Sequence, residues 1–182
     1  MTNNIKKEEI FKDVFLITYK KHYDKRGYFT ESYNKKAFES IDIRNLFVQD
    51  NLSFSKKAGT IRGLHFQRGP YEQAKLLNVI SGSILDIFVD IREESPNFGQ
   101  YSSCKLDSES GSLFIPRGFA HGFCSLEENT LISYKVDNFY DKESESGIIW
   151  NDTDLNIKWP EFENFEISEK DKELLFLNEL IK

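Results

Sequence analysis

The sequence predicts an all-β fold, an antiparallel sandwich or jelly roll with short flanking helices. Sixteen Phe and eight Tyr against a single Met in 182 residues supply aromatic mass of the kind that packs between pleated sheets. Short runs of β type follow one another along the chain, many of them separated by Gly-, Pro- or Asn-containing turns. Helical patterns are confined to two places, which argues against the strand–helix alternation of a parallel α/β sheet.

The elements follow in order. Val14–Thr18 and Tyr28–Tyr33 open the series of strands, and Asn34 caps a short helix over Lys35–Ser40 with Phe38 and Ile41 turned inward. Leu46–Ser53 and Thr60–Phe66 follow, then the turn Arg68-Gly69-Pro70. Lys75–Ser81 and Ile84–Ile91 flank Ser81-Gly82-Ser83, and Ser95-Pro96-Asn97 precedes Gly99–Leu106. Ser112–Ile115, Gly122–Leu126 and, beyond Glu127-Glu128-Asn129, Leu131–Val136 complete the strands. A polar loop from Trp150-Asn151-Asp152 to Trp159-Pro160 is pinned by its two tryptophans. Ser168-Glu169-Lys170-Asp171 resembles a capping box and opens a C-terminal helix that runs through Leu180. With no internal repeat, linker or composition break, residues 1–182 are expected to form one domain.

Composition narrows the function classes. Apolar residues make up 39% and charged residues 30%, the balance of a soluble globular chain. A net charge of −6 argues against a nucleic-acid surface, while a phosphorylated small molecule needs only a few local cations. Cys104 and Cys124 cannot build a disulfide framework. Met1–Glu9 mixes lysines with glutamates and lacks the apolar core of a signal peptide. No apolar run approaches the roughly 20 residues of a membrane span, so a cytoplasmic protein without a membrane partner is expected.

The most informative stretch is Thr60-Ile61-Arg62-Gly63-Leu64-His65-Phe66-Gln67. Strand alternation puts His65 and Gly63 opposite Leu64 and Phe66, and Gly63 leaves room for something to approach the backbone beside the imidazole. His65 is therefore a candidate proton-transfer group, with a hydrogen-bonded core histidine as the alternative. Lys75 starts a strand, where a lysine is either a solvated edge charge or, pointing inward, a cation for developing negative oxygen. Tyr134 lies on a cleanly alternating strand, as a packed core tyrosine or as a proton-donating phenol. Arg26, Arg62 and Arg117 each adjoin a glycine, where a ligand phosphate can come close. No Walker-type loop, G-x-G-x-x-G turn or G-x-S-x-G elbow occurs. Metal-binding jelly rolls of the cupin type usually carry a His-x-His pair, which His65-Phe66-Gln67 lacks; His22 and His121 are scattered, so no metal is expected.

Six motifs in order form one series: Arg26-Gly27-Tyr28-Phe29-Thr30-Glu31-Ser32, Phe47-Val48-Gln49-Asp50-Asn51, Arg62 to Gln67, Val89-Asp90-Ile91-Arg92, Ile115 to Phe123, and Trp150-Asn151-Asp152. The series resembles the dTDP-4-dehydrorhamnose 3,5-epimerase family, from about Val14 to the C-terminal helix. The resemblance implies a cupin-type jelly roll and a homodimer with an N-terminal strand packed on its partner. It further implies catalysis without metal or cofactor on a nucleoside-diphosphate 4-keto-6-deoxy sugar. It assigns His65 as the base beside the ketone, Asp171 as its carboxylate partner, Lys75 to the enolate oxygen and Tyr134 as the proton donor on the opposite face. Arg26, Arg62 and His121 match diphosphate or sugar contacts, and Phe29, Glu31, Gln49, Asn51 and Tyr140 match the lining of the nucleotide and sugar pocket.

The chemistry makes physical sense of that set. A proton beside a ketone is acidic because the charge left behind moves to oxygen, where Lys75 can stabilise it. A carboxylate on His65 would fix its tautomer and support the imidazolium. Asp171 is also explained as the acidic residue of a helix N-terminus, and Asp152 and Asp90 compete for the role beside His65. Tyr28, Ala74 and Asn78 depart from the commoner pattern of the family, outside the proton-transfer set. The expected reaction inverts C3 and C5 of dTDP-4-dehydro-6-deoxy-D-glucose. A 3-only epimerase or a keto-isomerase on a related sugar, and a sugar-binding cupin without turnover, are the alternatives.

Overall fold

Runs such as Leu76-Leu77, Ile84-Leu85 and Leu113-Phe114-Ile115 are apolar on both faces of their strands, so the sheets must stack on one another and be covered on the outside as well. The computed structural model describes residues 4–180, and the ends of the 1–182 span, residues 1–3 and 181–182, lie outside the described residues. The strands are β1 (Ile5–Phe11), β2 (Val14–Tyr19), β3 (His22–Asp24), β4 (Gly27–Phe29), β5 (Gln49–Ser55), β6 (Ile61–Gln67), β7 (Lys75–Ser81), β8 (Ser83–Asp90), β9 (Tyr101–Asp107), β10 (Ser112–Ile115), β11 (Phe119–Ser125), β12 (Thr130–Val136) and β13 (Glu145–Gly147). The helices are α1 (Lys35–Glu39), α2 (Glu169–Lys172) and α3 (Leu177–Leu180), with a 3-10 turn at Gly69–Tyr71. One sheet has the order β1-β2-β10-β7-β12-β5 and the other β13-β6-β11-β8-β9, while β3 and β4 form a separate hairpin. The crossovers between distant strands give the predicted jelly roll.

Three apolar layers hold the sandwich. Leu77, Val79, Phe88, Leu113, Phe123 and Ile132 fill the space between the sheets. On the outside of the five-stranded sheet, Leu64, Ile87, Val89 and Ala120 pack beneath Ile148, Leu155, Ile157 and Leu177 of the C-terminal segment. On the outside of the other sheet, Ile17, Leu76 and Phe114 are covered by Phe38 and Ile43. The helix α1 is capped as its sequence predicts: Asn34 accepts from the backbone N–H groups of Lys36 and Ala37. The tryptophan loop is pinned by the Trp159 indole donating to the carbonyl of Trp150 at 2.7 Å.

Three expectations need correction. The strand predicted over Tyr28–Tyr33 is limited to Gly27–Phe29, because that hairpin pairs only with itself and the chain then turns into α1. The edge strand β1 and the three-residue strands β3 and β13 were not predicted; β1 has no clean alternation, β3 is held by its pairing with β4, and β13 by its pairing with β6. The single helix predicted from Ser168 to Leu180 is broken into α2 and α3. Between them Leu175 bridges to Ile148, its carbonyl accepts from Ile149 N–H, and Leu177 N–H donates to Asp152. Tertiary partners thus satisfy backbone groups that a continuous helix would have satisfied internally.

The strand β6 carries a bulge where it meets β11. Arg62 pairs with Phe123 and His65 with His121, so Gly63 and Leu64 stand opposite Gly122 alone. Gly63 has φ +109°, and a Cβ there would lie 2.7 Å from the carbonyl oxygen of His121 and 2.8 Å from the Cα of Gly122. What approaches the backbone at this glycine is the neighbouring strand. Gly63→Ala is expected to cost at least about 2 kcal/mol in urea denaturation, since it adds both backbone strain and a backbone clash. An unchanged midpoint would contradict this account of the bulge.

Candidate active site

Beyond the bulge the β6 alternation is regular. Leu64 and Phe66 pack on the outer layer, while His65 and Gln67 turn to the other side. There, between the two sheets, lies a cleft of about 770 Å³. The five-stranded sheet supplies Arg62, His65, His121 and Glu145, and the six-stranded sheet supplies Gln49, Asn51, Lys75 and Tyr134. Asp171 enters from α2, and Tyr140 from the segment after β12.

Asp171 joins the C-terminal segment to the bulge. Its Oδ1 lies 3.0 Å from His65 Nε2, and its Oδ2 accepts from the backbone N–H of Gly63 at 2.9 Å. Half of the predicted capping box forms, with Asp171 N–H donating to Ser168 Oγ at 3.1 Å. The Asp171 side chain does not turn back to its own helix but reaches β6 instead. Burial opposes its ionisation, but the bonds from His65 and Gly63 outweigh this and hold its carboxyl below the usual range. A carboxylate at Nε2 favours the tautomer with its proton there, leaving Nδ1 as the basic nitrogen of His65. The competing carboxylates are used elsewhere: Asp152 accepts from the N–H groups of Asp154, Leu155 and Leu177, and Asp90 binds Arg92 and Ser95.

Lys75 points inward. It is 9% exposed, and its ammonium donates to the carbonyl of His65 at 3.1 Å. Burial pulls its pKa down to about 8, against the opposing attraction of Asp86 and Glu145. Tyr134 is raised by burial, with Arg62 partly countering the shift. His121 does not face the cleft as a free ligand group. Its Nε2 lies 2.8 Å from Oδ2 of Asp86, and Oδ1 of Asp86 is buried with no hydrogen-bond partner among the described residues. Burial pushes His121 down and Asp86 up, and in each case their mutual attraction and hydrogen bond counter part of the shift.

Nine of the twelve predicted site residues therefore line one cleft. Arg26, Phe29 and Glu31 do not. Arg26 is paired with Asp24 on the exposed hairpin, and Phe29 and Glu31 line a small separate hollow against Tyr19 and Asn34. Arg117 binds Asp137 outside the cleft, and Arg62 spans to Phe54 O at 2.8 Å with its side chain exposed. Two residues beside the predicted set were missed: Asp86, buried against His121 behind the cleft wall, and Glu145, which lines the cleft. Asp86 interrupts the apolar run Ile84-Leu85-Asp86-Ile87-Phe88, a signal that could have found it. Glu145 stands in a polar stretch that offers no such signal.

A jelly roll with a carboxylate-backed histidine on one wall of a cleft, and a buried lysine and a tyrosine on the other, presents an acid–base set of the kind that can transfer protons. The sequence profile of the dTDP-4-dehydrorhamnose 3,5-epimerases matches residues 8–179. The Shigella flexneri dTDP-4-dehydrorhamnose 3,5-epimerase is 46% identical over 170 residues, 92% of each chain. Among solved structures, that of the Bacillus anthracis enzyme with TDP and PPi bound superposes with a TM-score of 0.91 at 46% identity, covering 95% of this chain and 99% of that one. The Legionella pneumophila dTDP-6-deoxy-D-glucose-3,5-epimerase in complex with dTDP-4-keto-L-rhamnose gives 0.89 at 40% identity, covering 96% and 93%. The chain belongs to the dTDP-4-dehydrorhamnose 3,5-epimerase family.

The lowered Lys75 value has a direct consequence. The ammonium is present below about pH 8 and lost above it, whereas an unperturbed lysine holds its proton to about 10.4. A kcat/KM that depends on this cation should fall as pH rises through about 8. A profile that stays flat to about pH 10 would contradict the burial argument.

Proposed function

We propose that this protein inverts C3 and C5 of dTDP-4-dehydro-6-deoxy-D-glucose to give dTDP-4-dehydro-L-rhamnose. The observation that carries the reading is the placement of the proton-transfer groups. His65 stands on β6 of one sheet and Tyr134 on β12 of the other, so a sugar ring between them meets a base on one face and a phenol on the opposite face. His65 takes the proton on the carbon beside the C4 ketone through Nδ1, and the C–H electron pair becomes an enolate with its charge on the C4 oxygen. The Lys75 ammonium stabilises that charge, an interaction strengthened because the lysine is withdrawn from water. Tyr134 then delivers a proton to the other face, which inverts the carbon; its phenolate regains a proton from solvent, and the His65 imidazolium gives up its proton to solvent, so that both groups are reset. Repetition on the other side of the ketone inverts the second centre. Asp171 stabilises the imidazolium formed in each round.

Arg62, at the exposed edge of the cleft, is assigned to the diphosphate, with Gln49, Asn51, His121 and Tyr140 around the sugar and nucleotide. Arg26, Phe29 and Glu31 have no place in the cleft of their own chain. Their hairpin is a protruding pair of strands with Tyr23 70% and Phe29 69% exposed. This supports a homodimer in which the hairpin of one copy reaches the cleft of the other. Residues 1–182 then act as one catalytic domain. No described helix is long and apolar enough to cross a membrane, and we place the protein in the cytoplasm on the character of its sequence.

Incubation with the keto-sugar in deuterium oxide should label both C3 and C5. Label at C3 alone would mean a 3-only epimerase, and a 3-keto product would mean a keto-isomerase. His65→Ala should lower kcat by 10²-fold or more, on the order of the contribution of a positioned general base; normal epimerisation by this variant would refute the mechanism. Sedimentation equilibrium should give twice the chain mass, and Arg26→Ala should raise KM with little change in kcat. A fully active monomer would refute the shared cleft.

A further inference from the structure

The carboxylate of Glu145 is left over from the mechanism. It lies on β13, which pairs with β6 so that Gly147 stands opposite His65 and Glu145 opposite Gln67. The side chain is 17% exposed and lines the cleft. One oxygen, Oε2, accepts from the Tyr140 hydroxyl at 2.8 Å and from the Lys170 ammonium at 2.6 Å. Lys170 immediately precedes Asp171 on α2. A single carboxylate oxygen therefore ties the helix that carries the partner of His65 to an aromatic side chain of the cleft.

We propose that Glu145 is a positioning residue for the proton transfer: it anchors α2 and supplies part of the negative field that keeps the interior Lys75 charged, while Lys170 tempers that field. The inference rests on the roles given to His65 and Lys75 above. A buried ammonium has lost its hydration and stays protonated only if nearby negative charge replaces it. Around Lys75 stand His65 on β6, Asp86 on β8, His121 on β11, Tyr134 on β12 and Glu145 on β13. Beside Ala74, Asp137 is engaged by Arg117. Two carboxylates thus attract Lys75, and Asp86 shares its charge with His121 at 2.8 Å. Glu145 is the one whose charge is balanced from outside the cleft, by a lysine 57% exposed. Although burial opposes it, the bonds from Lys170 and Tyr140 hold the Glu145 carboxyl below its usual range, so it is ionised wherever the enzyme works.

A latch and a field make opposite demands on two substitutions. If Glu145 only fastened α2, then Glu145→Gln and Lys170→Gln would each break the same bond and act alike. If its charge matters, Glu145→Gln removes attraction from Lys75, and Lys170→Gln removes the cation that offsets it. The test is the titration midpoint of Lys75, read from its ε-carbon shift by NMR in the free protein and from the alkaline limb of kcat/KM. Glu145→Gln should move the midpoint below that of the wild type by on the order of half a pH unit, and Lys170→Gln should move it above by a similar amount. Shifts in the same direction, or no shift in either variant, would overturn the proposal. The NMR titration needs no turnover, so an inactive wild-type protein would refute the proposed reaction while the Lys75 midpoints still decide the role of Glu145.

Discussion

The carboxylate of Asp171 is the point on which the cleft depends. With one oxygen on the imidazole of His65 and the other on the backbone N–H of Gly63, it joins the C-terminal segment to the bulge in β6. Three local features make this contact possible. The bulge frees the Gly63 N–H from the strand ladder, the absence of a side chain at Gly63 lets β11 lie close, and Ser168 starts α2 with Asp171 on the side facing the sheet. Remove any of them and the carboxylate loses either its mount or its second partner. The tautomer of His65, and with it the ring nitrogen left free to accept a proton, follows from this one contact.

The same cleft holds groups that the fold alone would exclude. Lys75, Asp86 and His121 lie among apolar side chains between the sheets. Burying ionised groups costs several kcal/mol each unless they are paired, and the pairing here is incomplete: one oxygen of Asp86 is unsatisfied. The apolar layers offset this cost, with buried Leu, Ile and Phe side chains contributing roughly 1.5–3 kcal/mol apiece. What the arrangement provides is an ammonium withdrawn from water, where its interaction with a developing oxyanion is strongest. Stability is spent where the proposed chemistry needs charge.

Much of this was legible in the sequence because it depended on local patterns. Asn34 before an amphipathic turn announced α1, and short β-type runs between turn signals announced most of the strands. Ser168 announced the start of α2, and His65 in a Gly-containing strand announced a histidine that faces the cleft. The failures share a different cause. The break between α2 and α3 comes from Leu175 and Leu177 bonding to Ile148–Asp152, partners some 25 residues away that no helical pattern reveals. The three residues of β13 are too few to carry a period and form only because β6 is there to pair with. Arg26, Phe29 and Glu31 were grouped with the cleft on resemblance, and a single chain holds them apart from it. Lys75 could have been read either way, and the inward choice was settled by the opposing sheet and not by its own strand.

Asp171 is proposed to act through His65 and not separately from it. A double-mutant cycle on kcat/KM with His65→Asn and Asp171→Asn measures that coupling directly. If the two side chains form one functional unit, the double variant should be no slower than His65→Asn alone, because Asp171 has nothing left to orient. If the two losses multiply, Asp171 contributes independently, and the dyad at the heart of this account is wrong.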